Sequence, residues 1–430
     1  MGAREAIDAN DRGLVRFIAA GSVDDGKSTL IGRLLYDAKG IFDDQLAAVA
    51  GASRRRGRGD LDLSLLTDGL IAEREQGITI DVAYRYFATA CRKFIIADTP
   101  GHVQYTRNMV TAASTADVAV VLVDARNGVV TQTRRHICIA ALLRIPHIAI
   151  AINKMDLVEF DAARFDVLAA ELAESSASLG VRSVVSIPVC ALDGDNVAHP
   201  SARTPWYAGP TLLRYLETVP AAADANASAF RFPVQGVLRP TAGLAGRQWH
   251  DLRGLTGRVE SGRIGVGEPV VVQPAGLGTR VAAIRTFDGI RSCAQSGESV
   301  VLELEDDLDV SRGDVLAAPA AAPVAASEFE AVLCWFGMRP LDRARRLMLK
   351  CATRTVKAEV TSLCSRIDVN TLARQPDPAS FHVNDIGHVR LRTAQPLALD
   401  RYHDNRATGS FVLIDESNND TLAAGMVTKL

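Results

Sequence analysis

The stretch that decides the fold is Gly21-Ser22-Val23-Asp24-Asp25-Gly26-Lys27-Ser28, which fits the pattern G-x-x-x-x-G-K-[ST]. An apolar run at 14–20 precedes it, and a segment of helical character that starts at Ser28-Thr29 follows it. A glycine loop between a buried strand and a helix predicts a phosphate-binding loop, because several backbone N–H groups can face one phosphate. In such a loop Lys27 reaches the β and γ phosphates, and the Ser28 hydroxyl ligates Mg²⁺.

Bulk properties narrow the class of protein. The 430 residues predict two or three domains, and 48% hydrophobic with 23% charged residues is typical of a soluble globular chain. A net charge of -2 gives no broad basic face for nucleic acid. Because we find neither a leader-like start nor an apolar run near the roughly 20 residues of a membrane span, we expect no membrane association. Seven scattered cysteines without a C-x-x-C pair predict neither a zinc site nor disulfides, which fits the reducing cytoplasm.

Along the chain, apolar strands alternate with segments of helical periodicity and are then replaced by short strands with glycine turns. The alternation predicts an α/β domain with a mostly parallel sheet, and the later pattern predicts all-β barrels. Small-residue linkers at 221–227 and 317–323 separate these regions. The predicted parts are a tail at 1–12, a nucleotide-binding domain at 13–222, and barrels at 223–324 and 325–430.

A second motif, Asp98-Thr99-Pro100-Gly101-His102, stands at the end of the predicted strand 94–97. A carboxylate at this edge of a sheet can hold a Mg²⁺-bound water, the Gly101 N–H can meet a γ-phosphate, and His102 can orient an attacking water. Taken alone, D-x-x-G is common and equally describes a turn.

The third motif, Asn153-Lys154-Met155-Asp156, follows the apolar strand 148–152. Asp156 can accept hydrogen bonds from N1–H and the 2-amino group of guanine, a pattern that adenine lacks. The stem of Lys154 can cover the base. In the order observed, the three motifs predict a GTP site.

Two further loops complete the predicted site. Thr79, within the segment 77–81, can ligate Mg²⁺ when a γ-phosphate is present, although the same segment also suits an ordinary strand entry. The loop Cys190-Ala191-Leu192 follows the last predicted strand of the sheet, and a backbone N–H there can reach guanine O6.

This order of motifs resembles the translation-factor-type GTPases of the elongation factor Tu class. The match narrows because 72–87, 92–102, 232–235, 366–372 and 405–411 resemble the family of large, GTP-binding subunits of bacterial sulfate adenylyltransferases. The resemblance implies an elongation factor Tu-like architecture, an α/β P-loop GTPase domain followed by two all-β barrels. It also implies that GTP hydrolysis drives formation of adenylyl sulfate and pyrophosphate from ATP and sulfate on a small ATP-pyrophosphatase-type partner subunit.

The resemblance also assigns roles to single residues. Lys27, Thr79 and His102 would act in catalysis, and Ser28, Thr79 and Asp98 would hold Mg²⁺. The implied nucleotide contacts are Gly21, Ser22, Val23, Asp24, Asp25, Gly26, Lys27, Ser28, Thr29, Asp98, Thr99, Pro100, Gly101, His102, Asn153, Lys154, Met155, Asp156, Cys190, Ala191 and Leu192.

Two positions differ from elongation factors. Cys190 replaces a serine, with a small expected effect because the main contact is the Ala191 N–H. Asp25 replaces a histidine, as in the sulfate-activation branch.

Two alternatives remain open at the level of sequence. One is an elongation-factor-like GTPase that binds RNA, and the other is a regulatory GTPase module without coupled catalysis. No S-G-G-x-D-S loop for adenylyl transfer and no second P-loop for an adenylyl-sulfate kinase occurs in the 430 residues. The resemblance implies a heterodimer or higher assembly with the small subunit, and we expect it in the cytoplasm. The arginine-rich run 53–60 is either a partner contact or a solvated loop.

Overall fold

The computed structural model describes residues 13–38, 63, 82–102, 106–181, 183–220, 228–239, 253–341 and 345–430. The predicted tail, the arginine-rich run and Thr79 lie outside these residues. Two compact units divide near residue 222, and the second contains both barrels. The exact domain boundaries given above stay predictions.

The first unit is built on a six-stranded sheet with the order β2-β3-β1-β4-β5-β6. Its strands are β1 (Leu14–Ala20), β2 (Ala83–Ala88), β3 (Lys93–Asp98), β4 (Val118–Asp124), β5 (His147–Asn153) and β6 (Val184–Pro188). Only β2, at one edge, is antiparallel to its neighbour.

All residues of β4 are buried, as are those of β5 after His147. Burial on both faces explains why these two strands are continuous apolar runs.

The helices of the first unit follow the predicted periodicity. They are α1 (Lys27–Asp37), α2 (Thr106–Ala113), α3 (Thr131–Leu142), α4 (Ala162–Ser178) and α5 (Leu212–Thr218). The Asp161 side chain caps α4 by accepting from the Ala163 N–H, and Thr211 caps α5 by accepting from the Arg214 N–H.

A buried cluster that includes Phe17, Phe94 and Leu122 packs helices against this sheet. Because β1 has β3 on one side and β4 on the other, the loop after β1 opens at the point where the strand order reverses.

The second unit contains two closed antiparallel barrels. In the first, the order β10-β15-β7-β8-β14-β11-β12 is closed by pairing of β10 with β11, and β9 pairs with β13 beside it. These strands are β7 (Arg231–Leu238), β8 (Gly254–Arg258), β9 (Arg263–Gly265), β10 (Pro269–Gln273), β11 (Leu277–Thr286), β12 (Gly289–Arg291), β13 (Cys293–Gln295), β14 (Ser299–Leu304) and β15 (Val315–Ala317).

The second barrel has the order β17-β21-β22-β16-β20-β18-β19 and is closed by pairing of β17 with β18. Its elements are β16 (Val324–Trp335), β17 (Leu347–Cys351), β18 (Arg354–Ile367), β19 (Arg374–Pro376), β20 (Ile386–Leu399), α6 (Arg406–Gly409), β21 (Ser410–Asp415) and β22 (Thr421–Lys429). A 3₁₀ turn, Pro319–Ala321, joins the barrels. The predicted fold class, an α/β domain followed by two β-barrels, is therefore confirmed.

Among the described residues, no helix combines the length and the apolar character that crossing a membrane requires.

Candidate functional site

The loop between β1 and α1 has the shape of a phosphate cradle. Gly26 precedes α1 with a φ of 89°, in the left-handed region that favours glycine. A Cβ at this position would lie 2.5 Å from the Asn153 side-chain nitrogen, so a larger residue would displace the neighbouring motif. The sequence folds this way because two glycines bracket the turn and a helix begins directly after it.

Lys27 is buried beneath this loop. Its Nζ donates to the backbone oxygens of Gly21, at 3.1 Å, and Ser22, at 3.2 Å. Burial lowers the pKa of Lys27, and the nearby carboxylate of Asp98 partly opposes that shift. The ammonium is thus anchored on backbone carbonyls of the loop itself.

Asp25 supports the loop from within. Its carboxylate accepts a hydrogen bond of 2.6 Å from the Ser22 N–H, and burial raises its pKa. Asp25 thus stabilises the turn itself.

The Asp98 motif lies directly beside the phosphate loop. Asp98 ends β3 opposite Ala19 of β1 and is 2% exposed. The Thr99 hydroxyl donates to the Ala19 carbonyl at 2.8 Å. A Cβ on Gly101 would lie 2.5 Å from the Lys27 Nζ and 2.7 Å from the Gly21 oxygen, so only glycine fits there. His102 is exposed on the solvent side of this contact.

Asn153 connects the phosphate loop to the loop after β6. Its Nδ2 donates to the Asp25 carbonyl at 2.8 Å, and its Oδ1 accepts from the Ala191 N–H at 2.9 Å. The Ala191 N–H, which was expected to reach guanine O6, is therefore hydrogen-bonded to the Asn153 side chain in the structure.

Lys154 is held by a residue that the sequence analysis did not single out. Its Nζ lies 2.9 Å from Asp124 Oδ2 and also donates to the Asp24 carbonyl. Asp124 in addition accepts from the Arg126 guanidinium at 2.7 Å. Burial raises the pKa of Asp124, but the hydrogen bonds from Arg126 and Lys154 outweigh burial and lower this pKa to about 2. The sequence signal that could have identified Asp124 as a site residue is its position at the end of an apolar strand. In the sheet it lies opposite Asn153.

Cys190 contacts Asp156. Burial raises the pKa of Cys190 to about 12, and the neighbouring Asp156 carboxylate adds to this rise, so the sulfur keeps its proton. Cys190 therefore stands as a neutral thiol at the position where elongation factors have a serine.

The predicted motifs thus converge at one edge of the sheet, where the C-terminal ends of β1, β3 and β5 meet the loop after β6. Contacts join the residues around Lys27 to Gly101, to Asn153 and, through Asn153, to Ala191. Thr79 lies outside the described residues. A cationic cradle beside carboxylates and a base-reading loop can bind a nucleotide and direct water at its terminal phosphate.

Comparisons with known proteins agree with this architecture. Residues 12–224 match the family described as elongation factor Tu GTP binding domain, and residues 328–428 match the GTP-eEF1A C-terminal domain-like family.

Several relatives are similar over nearly the whole chain. The bifunctional enzyme NodQ of Rhizobium meliloti (strain 1021) is 50% identical over 97% of this chain, which spans 64% of that protein. The bifunctional enzyme CysN/CysC of Mycobacterium tuberculosis (strain H37Rv) is 51% identical over 97% of this chain and 67% of its own length. Sulfate adenylyltransferase subunit 1 of Bacteroides fragilis (strain YCH46) is 50% identical over 96% of this chain and 86% of its own length. The chain therefore belongs to the sulfate adenylyltransferase subunit 1 family.

Proposed function

We propose that this chain is the GTP-hydrolysing subunit of a sulfate adenylyltransferase, and that GTP hydrolysis drives the formation of adenylyl sulfate and pyrophosphate from ATP and sulfate on a partner subunit. The observation that carries the proposal is the side chain of Asn153, which bonds to both the phosphate loop and the loop after β6. The relative from Bacteroides fragilis supplies the reaction, since its name is sulfate adenylyltransferase subunit 1.

Guanine would be selected by Asp156. Its carboxylate can accept from N1–H and the 2-amino group, and the neutral Cys190 thiol neighbours that carboxylate. The aliphatic stem of Lys154 would cover the base, because its ammonium is already anchored on Asp124 and the phosphate loop.

A Mg²⁺ site fits the residues around the phosphate loop. Ser28, in the first turn of α1, supplies a hydroxyl, and Asp98, at the end of β3, supplies a buried carboxylate. Hard oxygen donors of this kind are what Mg²⁺ prefers. Thr79 would be the third protein group at this ion. When bound, Mg²⁺ would neutralise charge on the phosphate oxygens.

Hydrolysis would depend on the contact between Lys27 and Gly101. In the present structure the ammonium rests on loop carbonyls, and with GTP bound it would stabilise negative charge that develops between the β and γ phosphates. Gly101, packed on that ammonium, would sense the γ-phosphate through its N–H. His102 would orient the attacking water from the exposed side.

The partner we propose is a small subunit of the ATP-pyrophosphatase type, in a heterodimer or a higher assembly. The name "subunit 1" of the relatives implies that a second subunit exists, without saying of which type. The substrates of the proposed complex are ATP, GTP and sulfate, and we therefore infer that the complex acts in the cytoplasm.

The test is a GTPase assay of the purified chain with and without that subunit. We expect the partner, ATP and sulfate together to stimulate GTP hydrolysis, and adenylyl sulfate to form faster when GTP is present. The Lys27→Ala variant should lose both effects.

Two results would contradict the proposal. Hydrolysis that does not respond to the partner with ATP and sulfate would favour a regulatory module without coupled catalysis. Stimulation by RNA instead would favour an elongation-factor-like role.

A further inference from the structure

Arg33, in the middle of α1, joins this helix to the loop that follows β6. Its Nε lies 3.4 Å from the Ala191 oxygen, its Nη2 donates to the Leu192 oxygen, and its Nη1 lies 3.5 Å from Asp37 Oδ1. The Arg33 side chain is 18% exposed. A guanidinium presents its donors in a rigid planar fork, so it can hold two successive carbonyls in one fixed geometry.

These contacts determine how the loop's peptide groups point. In a trans peptide the C=O and the N–H face opposite ways. Since Arg33 draws the Ala191 oxygen towards α1, the Leu192 N–H of the same peptide is directed away from this helix. The Asp193 N–H is likewise turned away from α1, and the Ala191 N–H donates to Asn153. Within the described part of the chain, the Leu192 N–H has no hydrogen-bond partner.

The loop is built to receive the arginine. Gly194 has a φ of 94°, and a Cβ there would lie 3.3 Å from the Arg33 Cζ. On its other side, Asp195 accepts from the Ser201 hydroxyl at 2.5 Å and pairs with Arg203. The loop is therefore fixed from two directions, and among the hydrogen bonds of the described residues those of Arg33 tie it to the helix that begins at Lys27.

We propose that Arg33 is a positioning residue for guanine selection: it keeps the N–H side of the 190–193 loop facing the base, so that a backbone donor meets guanine O6. The inference rests on the proposed function, because it takes GTP as the ligand. It extends that function by linking base recognition to the phosphate-binding helix.

The test compares GTP with two analogues by displacement of a fluorescent GDP. In 6-thio-GTP the O6 acceptor is a weaker sulfur acceptor, whereas ITP keeps O6 and lacks the 2-amino group that Asp156 would read. For Arg33→Ala we expect GTP affinity to fall about 5- to 10-fold, as for the loss of about one hydrogen bond. The ratio of the affinities for GTP and 6-thio-GTP should become smaller, whereas the ratio of the affinities for GTP and ITP should not change. The turnover rate at saturating GTP should be unchanged.

Two variants act as controls. Arg33→Lys keeps the charge but lacks the rigid planar fork of donors. It should therefore narrow the preference for GTP over 6-thio-GTP only partly, and it replaces Arg33→Ala in the test if that variant fails to fold. Asp37→Asn removes the ion pair without touching the loop, and it should leave the preference intact.

If the affinities of Arg33→Ala for all three nucleotides fall together, Arg33 serves packing alone and the inference is wrong. If the unchanged chain itself shows no preference for GTP over ATP, the proposed function fails first, and the two failures are thereby distinguished.

Discussion

Asp156 is the residue whose replacement should change the identity of the ligand most directly. Asparagine at this position presents a donor where guanine also presents donors, whereas xanthine presents an oxygen. We expect Asp156→Asn to lower GTP affinity roughly 100-fold, as for the loss of charge-assisted hydrogen bonds, and to raise affinity for XTP. Competition binding with both nucleotides measures the change, and Asp166→Asn, exposed on α4, is the matched control. An unaltered preference would mean that another residue reads the base.

His102 should affect the rate of hydrolysis more than binding. Its side chain is exposed beside Gly101, where it can reach a water without holding the nucleotide. We expect His102→Ala to slow GTP hydrolysis roughly 100-fold or more, the usual size of a water-orienting or acid–base contribution, with little change in GTP affinity. Single-turnover hydrolysis and equilibrium binding separate the two quantities. Equal losses in both would indicate a structural role.

His136, buried in α3, should make the protein sensitive to acid. Burial, with the nearby Lys27 and Arg135 charges, lowers its pKa to about 3 from an ordinary 6.5. In the unfolded chain His136 therefore binds a proton near pH 6.5, whereas in the folded chain it binds one only near pH 3. The stability associated with neutral His136 is complete above pH 6.5 and is lost progressively as the pH falls towards 3.

Urea unfolding at pH 7 and pH 5 tests this. From pH 7 to pH 5 the free energy of unfolding should decrease in both proteins. The decrease should be smaller by about 2 kcal/mol in His136→Gln than in the unchanged chain. His199→Gln, at an exposed position, is the control and should leave the pH dependence as it was. An identical pH dependence in His136→Gln and the unchanged chain would contradict the burial argument.

At the scale of elements, the contact between the segment after β3 and the phosphate loop leaves no room for a single added methyl group. A Cβ on Gly101 would meet the Lys27 Nζ at 2.5 Å and the backbone oxygen of Gly21 at 2.7 Å, and a backbone atom cannot move aside cheaply. We expect Gly101→Ala to push this segment off the loop and to lower GTP hydrolysis at least 10-fold, a loss of about 1.4 kcal/mol of transition-state stabilisation.

The matched change is Gly278→Ala in β11, where an added Cβ would meet nothing within 4 Å. It should leave hydrolysis unchanged. If both alanine variants hydrolyse GTP normally, the close approach at Gly101 is not required for catalysis.

At the scale of the whole molecule, a buried ion pair joins the two barrels of the second unit. Arg231, in β7, donates from Nε and Nη2 to both oxygens of Asp400, each at 2.8 Å, and is 3% exposed. The Thr408 hydroxyl donates to the same carboxylate, and Asn405 contacts the Ser261 hydroxyl at 2.8 Å. This network fixes one barrel against the other.

Removing one member of such a pair leaves a buried charge without compensation. We expect Arg231→Ala to lower the free energy of unfolding of the barrel unit by about 3–5 kcal/mol. Arg392→Ala breaks an exposed pair with Glu328 and should cost less than about 1 kcal/mol. Denaturant midpoints followed by tryptophan fluorescence compare them. Similar losses in both variants would show that the buried pair has no special role.

Much of the architecture follows from local sequence alone. The apolar runs of β4 and β5 are long enough and uniform enough to require burial on both faces. The segments 131–144 and 161–178 have helical periodicity, and the helices α3 and α4 begin and end within two residues of them. Each motif follows a strand, and since parallel strands bring their C-terminal ends to one edge, the phosphate loop, Asp98 and Asn153 could be expected to meet.

Which atoms complete the site was decided only by the tertiary structure. Asp124 anchors Lys154 from 30 residues away, and Arg33 holds the Leu192 carbonyl from 159 residues away. The Ala191 N–H is bonded to Asn153, which the sequence pattern had not indicated. Local sequence determines strands, helices and turns because their forces act between near neighbours. These pairings depend on strand order and helix placement, so the phosphate loop, recognisable from eight residues, becomes a nucleotide site only through contacts made across the folded chain.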